Sequence, residues 1–163
     1  MTPVSSVQLD KKVPAFKAAA TGGETFKLAD AKGSNLVLYF YPRDSTPGCT
    51  REGQDFRDNY DKFKRNKTLV VGVSRDSVAS HEKFSTQHAF PFPLLSDADE
   101  ALCRMFDVIK EKNMYGKKVM GIERSTFLID ATGKLRREWR KVKVDGHVDE
   151  VLEAVRKLNR ANS

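Results

Sequence analysis

Hydrophobic and polar positions change period several times along the chain, and each change marks an expected element. GSNLVLYFYP over 33–42 is almost continuously apolar from Leu36 onward. A strand buried on both faces reads this way, whereas a strand with one wet face alternates. TLVVGVS over 68–74 has the same character and predicts a second central strand, parallel to the first. Between them, PGCTREGQDFRDNYDKFKRN over 47–66 shifts to the helical period, with Phe56, Tyr60 and Phe63 at i, i+4 and i+7. SVASHEKFSTQH over 77–88 predicts a helix with Asp76 or Ser77 as its cap.

Farther along, FPFPLLSD over 90–97 predicts a short strand interrupted by two prolines. DADEALCRMFDV over 97–108 predicts a helix capped by Asp97, with Leu102, Met105 and Phe106 on one face. RSTFLIDATGKLRREW over 124–139 reads as strand, glycine-containing turn and strand, hence a hairpin. HVDEVLEAVRKLNR over 147–160 closes the chain with an amphipathic helix whose stripe is Val148, Val151, Leu152 and Val155. Residues 1–12 are polar, and a loose arm is expected there, over 1–8 in particular.

Strands alternating with helices predict an α/β fold, a central mixed β-sheet flanked by helices. A late antiparallel hairpin followed by a last helix resembles the thioredoxin arrangement. The 163 residues suit one domain over 1–163. Reactive groups in such sheets lie beyond the carboxyl ends of the central strands.

Composition narrows the function classes. Hydrophobic residues at 39% and charged residues at 31% fit a soluble globular protein. No apolar run approaches the roughly 18 residues of a membrane span, and MTPVSSVQLDKKVPAF lacks the basic start and apolar block of a secretory signal. Two cysteines, Cys49 and Cys103, make no disulfide scaffold, so a reducing, cytoplasmic setting is expected. The net charge of +7 gathers at 62–67, 110–118, 135–143 and around Arg156, Lys157 and Arg160. These clusters are interleaved with acids and carry no spaced aromatics, so a solvated basic surface is expected rather than a nucleic-acid interface. His81 and His88 lie seven apart on one helix and, with His147 or a cysteine, could ligate metal, but zinc-type spacing is missing. A solvated helix face is expected for them, with no metal and no cofactor. A phosphatase-type Cys-x5-Arg is absent, because Asp55 and Ile109 stand six after the two cysteines.

The chemistry concentrates at Cys49. With Thr46 as N-cap, Pro47 falls at the first helical position, where its missing N–H costs nothing, and Cys49 lies in the first turn. Backbone donors and the helix dipole favour an anion there. Cys49 also heads the stripe of Phe56, Tyr60 and Phe63, so its sulfur should face the core. A free cysteine is only about 3% thiolate at neutral pH, and making it three-quarters thiolate takes about 2.7 kcal/mol. A helix terminus supplies ~0.3–1 kcal/mol, and ~2 kcal/mol at best, so a nearby cation is expected. Arg43, Arg51 and Arg124 are the candidates, and position along the chain does not choose among them. The plain alternative is an inert small residue at a helix start.

PRDSTPGC over 42–49 is similar to the PxxxTxxC signature of the peroxiredoxins. VPAF, FYPRDSTPGCT, GVSRDS, FPLLSD and GIERSTFLIDATGK resemble the Q subfamily, also called bacterioferritin comigratory protein, over about residues 9–158. The resemblance implies a thiol-dependent peroxidase acting on hydrogen peroxide and organic hydroperoxides, serving antioxidant defence and redox homeostasis without cofactor. It assigns Cys49 as peroxidatic nucleophile, Thr46 as donor to sulfur and peroxide, Pro42 as cover and Arg124 as the positive charge. Family members with an intramolecular disulfide carry a second cysteine at the positions of Gln54 or Ser85. Neither is a thiol here, which implies a one-cysteine member recycled by thioredoxin, glutaredoxin or a small thiol. A monomer is expected. Cys103 is expected to be a partly buried helical cysteine. Two rivals remain, a redox sensor that reports through Cys49 without turnover and a basic nucleic-acid-binding protein.

Overall fold

The computed structural model describes residues 7–162. In chain order the elements are β1 (Lys17–Ala20), β2 (Thr25–Lys27), β3 (Asn35–Phe40), α1 (Pro47–Arg65), β4 (Thr68–Ser74), α2 (Val78–His88), β5 (Leu94–Ser96), α3 (Ala101–Met105), β6 (Ile109–Met114), β7 (Lys117–Ile122), β8 (Ser125–Ile129), β9 (Leu135–Trp139) and α4 (His147–Ala161). Seven strands form one mixed sheet in the order β2-β1-β5-β4-β3-β8-β9. The β3, β4 and β5 strands run parallel, and β8 returns antiparallel beside β3.

All six residues of β3 are buried because both faces are covered. Leu36, Leu38 and Phe40 enter one core cluster with Phe106 and Phe127. Val37 and Tyr39 point the other way, into a cluster built with Phe56 and Phe63 of α1, Phe84 of α2 and Val151 and Val155 of α4. Strand alternation places the two clusters on opposite faces of the sheet. Three helices therefore cover one face. The short α3, with Leu102 and Phe106, covers the other together with the N-terminal segment.

Gly53, inside α1, shows how closely this face is packed. A Cβ built there lies 2.4 Å from Cζ of Phe90. The Phe90 ring is held by stacking on Phe92 at 5.4 Å and by the edge contact with Phe84 at 5.0 Å. Alanine in an exposed helix gains about 1 kcal/mol over glycine. Overpacking a core costs ~1–3 kcal/mol. Here the clash outweighs propensity, so Gly53→Ala lowers the urea midpoint; a rise of the size seen at exposed glycines would contradict the packing.

Three expectations change. The helix expected over 97–108 shortens to Ala101–Met105. Its N-cap is Glu100, with a left-handed φ of 63°, rather than Asp97; Asp97 lies in the loop before it and accepts from the N–H groups of Leu102 at 2.9 Å and Cys103 at 2.7 Å. The basic stretch at 110–118 is not only a charged surface. It belongs to a separate two-stranded ribbon, β6 with β7, turning at Tyr115 and Gly116, both with positive φ. The arm expected over 1–8 lies outside the described residues for 1–6. From Val7 on the segment is fastened: Val7 and Val13 are buried, Asp10 N–H donates to Leu135 O at 2.7 Å, and Val13 N–H donates to Gly133 O at 2.8 Å.

Candidate active site

The carboxyl end of β3 delivers the chain to the site. Tyr41 keeps the ladder for one more residue, donating its N–H to Val73 O at 3.0 Å. The chain then leaves the sheet at the half-buried Pro42 and turns at Ser45, whose φ is 63°. Thr46 is the N-cap of α1 by backbone geometry, and Pro47 opens the helix as its fixed φ permits. Cys49 follows in the first turn, 2% exposed, packed in the cluster of Phe56, Tyr60 and Phe63 as the helical phase predicts.

Of the three candidate arginines, Arg124 reaches the sulfur. It stands immediately before β8, whose Ser125 pairs with Phe40 at the end of β3, so the antiparallel register carries Arg124 to the start of α1. Its Nη2 donates toward Sγ of Cys49 at 3.4 Å, and its Nη1 donates to Oε1 of Glu52 at 2.6 Å. Gly48 makes room: a Cβ there would stand 3.1 Å from Nη2. Arg51 is instead paired with Asp145 in solvent, and Arg43 is exposed.

Thr46 sits within one turn of the sulfur, but its single hydroxyl proton goes to Arg43 O at 2.9 Å. The structure thus brings Cys49 and Arg124 into contact and leaves Thr46 adjacent but turned away.

Glu52 is the residue missed in the sequence. It is fully buried one helical turn after Cys49. Burial pushes its carboxyl up to about 7, against the pull of Arg124. The signal was available, since a carboxylate occupies position i+3 on the stripe that Cys49 heads.

A second missed group anchors the loop. Oδ1 of Asp44 accepts from the Tyr41 hydroxyl at 2.6 Å, and its Oδ2 faces the Ser80 hydroxyl at 2.8 Å and Nδ1 of His81 at 2.7 Å. Nε2 of His81 donates to Leu95 O at 2.8 Å. Burial raises the Asp44 carboxyl, but these partners outweigh it and hold it below its ordinary value. The Asp44 N–H donates to Asp76 at 2.8 Å, so the loop before Cys49 is tied both to α2 and to the connection between β4 and α2. His81 is therefore fully buried, contrary to the solvated face expected for it. Asp44, Asp76 and His81 bring ligand atoms within 4.8 Å of one another, the one metal-capable group among the described residues. Those atoms already serve the loop's hydrogen bonds. His147 is also buried, bonded to Thr126 at 2.8 Å, and burial lowers its pKa to about 4.

Cys103 is fully buried rather than partly so, and it lies in the core cluster on the opposite sheet face from Cys49. Burial first, then its hydrogen bond with Asp97, pushes its thiol far above the ordinary range.

Known proteins share this architecture. The AhpC/TSA family profile matches residues 9–138. Peroxiredoxin Bcp of Xanthomonas campestris is 57% identical over 136 residues, covering 83% of this chain and 85% of that protein. Peroxiredoxin Bcp of Bacillus subtilis is 48% identical over 154 residues, covering 94% and 98%. A solved structure of the Xanthomonas campestris bacterioferritin comigratory protein, studied for its alkyl peroxide reduction activity, superposes with a TM-score of 0.85 at 54% identity, over 88% of this chain and 92% of that one. No helix among the described residues is long and apolar enough to cross a membrane. A thioredoxin-like α/β fold with a mixed sheet flanked by helices, a cysteine at the first turn of α1 and these relatives agree: the chain belongs to the AhpC/TSA family, among the peroxiredoxins of the Bcp or Q type, which are thiol-dependent peroxidases.

Proposed function

We propose that Cys49 is the peroxidatic nucleophile, on the observation that Arg124 Nη2 stands 3.4 Å from its sulfur at the start of α1. The thiolate attacks one oxygen of a hydroperoxide. An S–O bond forms as the O–O bond breaks, the leaving oxygen takes a proton to depart as water or alcohol, and Cys49 is left as a sulfenic acid. Arg124 and the first-turn N–H groups stabilise the charge that moves onto the leaving oxygen. The Thr46 hydroxyl rotates from Arg43 O to donate to the peroxide, and Pro42 shields the site from water. Hydrogen peroxide and small organic hydroperoxides are the substrates; the alkyl peroxide activity of the Xanthomonas campestris relative supports this reading. The step requires no metal or organic cofactor.

An external thiol then condenses with the sulfenic acid, releasing water, and a second thiol displaces the mixed disulfide to restore Cys49. A one-cysteine cycle is supported by the placement of Cys103 across the sheet and by Gln54 and Ser85 at the positions where relatives carry second cysteines. Thioredoxin, glutaredoxin or a small thiol serves as reductant. The protein acts as a single cytoplasmic domain, a monomer, in antioxidant defence. Mass spectrometry after one equivalent of peroxide, with a sulfenic-acid trap present, should find the trap on Cys49. A Cys49–Cys103 disulfide would overturn the one-cysteine cycle, and an unmodified Cys49 would overturn the nucleophile.

A further inference from the structure

Among the described residues, only two buried side-chain atoms lack a hydrogen-bond partner, Oε2 of Glu52 and the hydroxyl oxygen of Tyr39. Both belong to the neighbourhood of Cys49. Glu52 holds Arg124 by one oxygen only, while the same guanidinium turns its other nitrogen to the sulfur. One guanidinium is thus faced by two buried groups that can each become an anion.

We propose that Glu52, which holds Arg124 in place, competes with Cys49 for the guanidinium charge, giving the peroxidase reaction a second, coupled ionisation. Neutral Glu52 still accepts from Nη1 and leaves the positive charge to the sulfur. Ionised Glu52 draws on that charge and opposes a thiolate beside it. The exchange falls near neutral pH, because burial has moved the carboxyl to about 7. Titrations of groups so placed belong to the pair rather than to either member.

The other charged and titratable groups around the pair do not take this role. Tyr39 on β3 stays neutral, its hydroxyl pushed well up by burial and then by Glu52. Asp44 in the preceding loop is already supplied with donors from Tyr41, Ser80 and His81. Lys112 on β6 donates to Ile122 O. His147 on α4 stays neutral down to about pH 4. Asp55, on α1 itself, is half-buried; burial raises its carboxyl and the charge of Arg51 opposes that.

The inference rests on Cys49 as the nucleophile, so the test reads the thiolate without turnover. Alkylation of Cys49 by iodoacetamide is followed against pH, alongside the second-order rate with hydrogen peroxide. The wild-type curve should require two interacting ionisations. Glu52→Gln keeps an acceptor for Nη1 but no charge, so its curve should follow a single ionisation with a midpoint about one pH unit lower. Glu52→Ala removes the anchor as well and should lower the peroxide rate about 10- to 100-fold at every pH. A Glu52→Gln curve that superimposes on the wild type, or lies at higher pH, overturns the proposal. So does a wild-type curve that fits one ionisation between about pH 5 and 9, which needs no variant to fold. Failure of the nucleophile reading itself would show separately, as peroxide turnover that survives complete alkylation of Cys49.

Discussion

Cys49→Ser should reduce peroxide consumption to the uncatalysed background, a loss of about a thousandfold or more, whatever thiol is supplied as reductant. The serine hydroxyl is scarcely ionised at neutral pH and is a much weaker nucleophile toward peroxide oxygen than a thiolate. Arg124 and the helix terminus cannot compensate, because together they offer only a few kcal/mol. Cys103 offers no rescue. It lies across the sheet, is fully buried, and spends its thiol on Asp97. The matching control, Cys103→Ser, should keep peroxide consumption within about twofold of wild type under the same reductants, since the proposed cycle uses no second cysteine. Stopped-flow peroxide consumption measures both. Turnover in Cys49→Ser would remove the mechanism, and loss of turnover in Cys103→Ser would make Cys103 a resolving residue.

The parts of this site that were legible in the sequence are those carried by local pattern. The uninterrupted apolar run of β3 and the Thr46-Pro47 helix start each depend on neighbours within a few residues, and together they put Cys49 at the end of a central strand. Arg124 is different. The need for a cation followed from magnitudes, but its identity comes from the register of β8 against β3, a long-range pairing that position along the chain does not reveal. Glu52 and His81 were obscured for a related reason. Charged and polar residues read as surface, and what buries these two is a partner on another element, Arg124 for Glu52 and Asp44 for His81. The two overlooked hairpins fail for lack of signal. β1 is Lys-Ala-Ala-Ala and β2 has three residues, while β6 and β7 are mostly exposed and lysine-rich, with too few apolar positions to show alternation. Tyr115-Gly116 was the remaining clue, since a two-residue turn with positive φ at both positions calls for glycine in one of them.

Arg124→Ala should slow the attack on peroxide by about 10²–10³-fold and move the pH–rate profile to higher pH. Two losses add. A unit charge about 4 Å from an anion is worth ~4 kcal/mol at the effective dielectric of a partly shielded site, well beyond the ~0.3–1 kcal/mol of a helix end. The donor proposed to meet the leaving oxygen disappears as well. Arg124→Lys restores a charge but not the fork. One ammonium on a flexible stem cannot keep the present contacts to the sulfur and to Oε1 of Glu52 together, so the lysine variant should fall between alanine and wild type. Stability separates these electrostatic effects from simple disruption. Removing the guanidinium leaves the buried Glu52 with neither oxygen paired, so Arg124→Ala should be destabilised most above neutral pH, where the carboxyl would otherwise ionise. The sign follows from the raised folded value: the carboxyl binds its proton more tightly folded than unfolded, and stability falls as pH rises from the ordinary carboxylate range toward 7. Adding Glu52→Gln to Arg124→Ala should remove that pH dependence in urea unfolding while peroxide reduction stays slow. If the double variant instead recovered activity along with stability, Arg124 would be a structural partner of Glu52 rather than the group that activates Cys49.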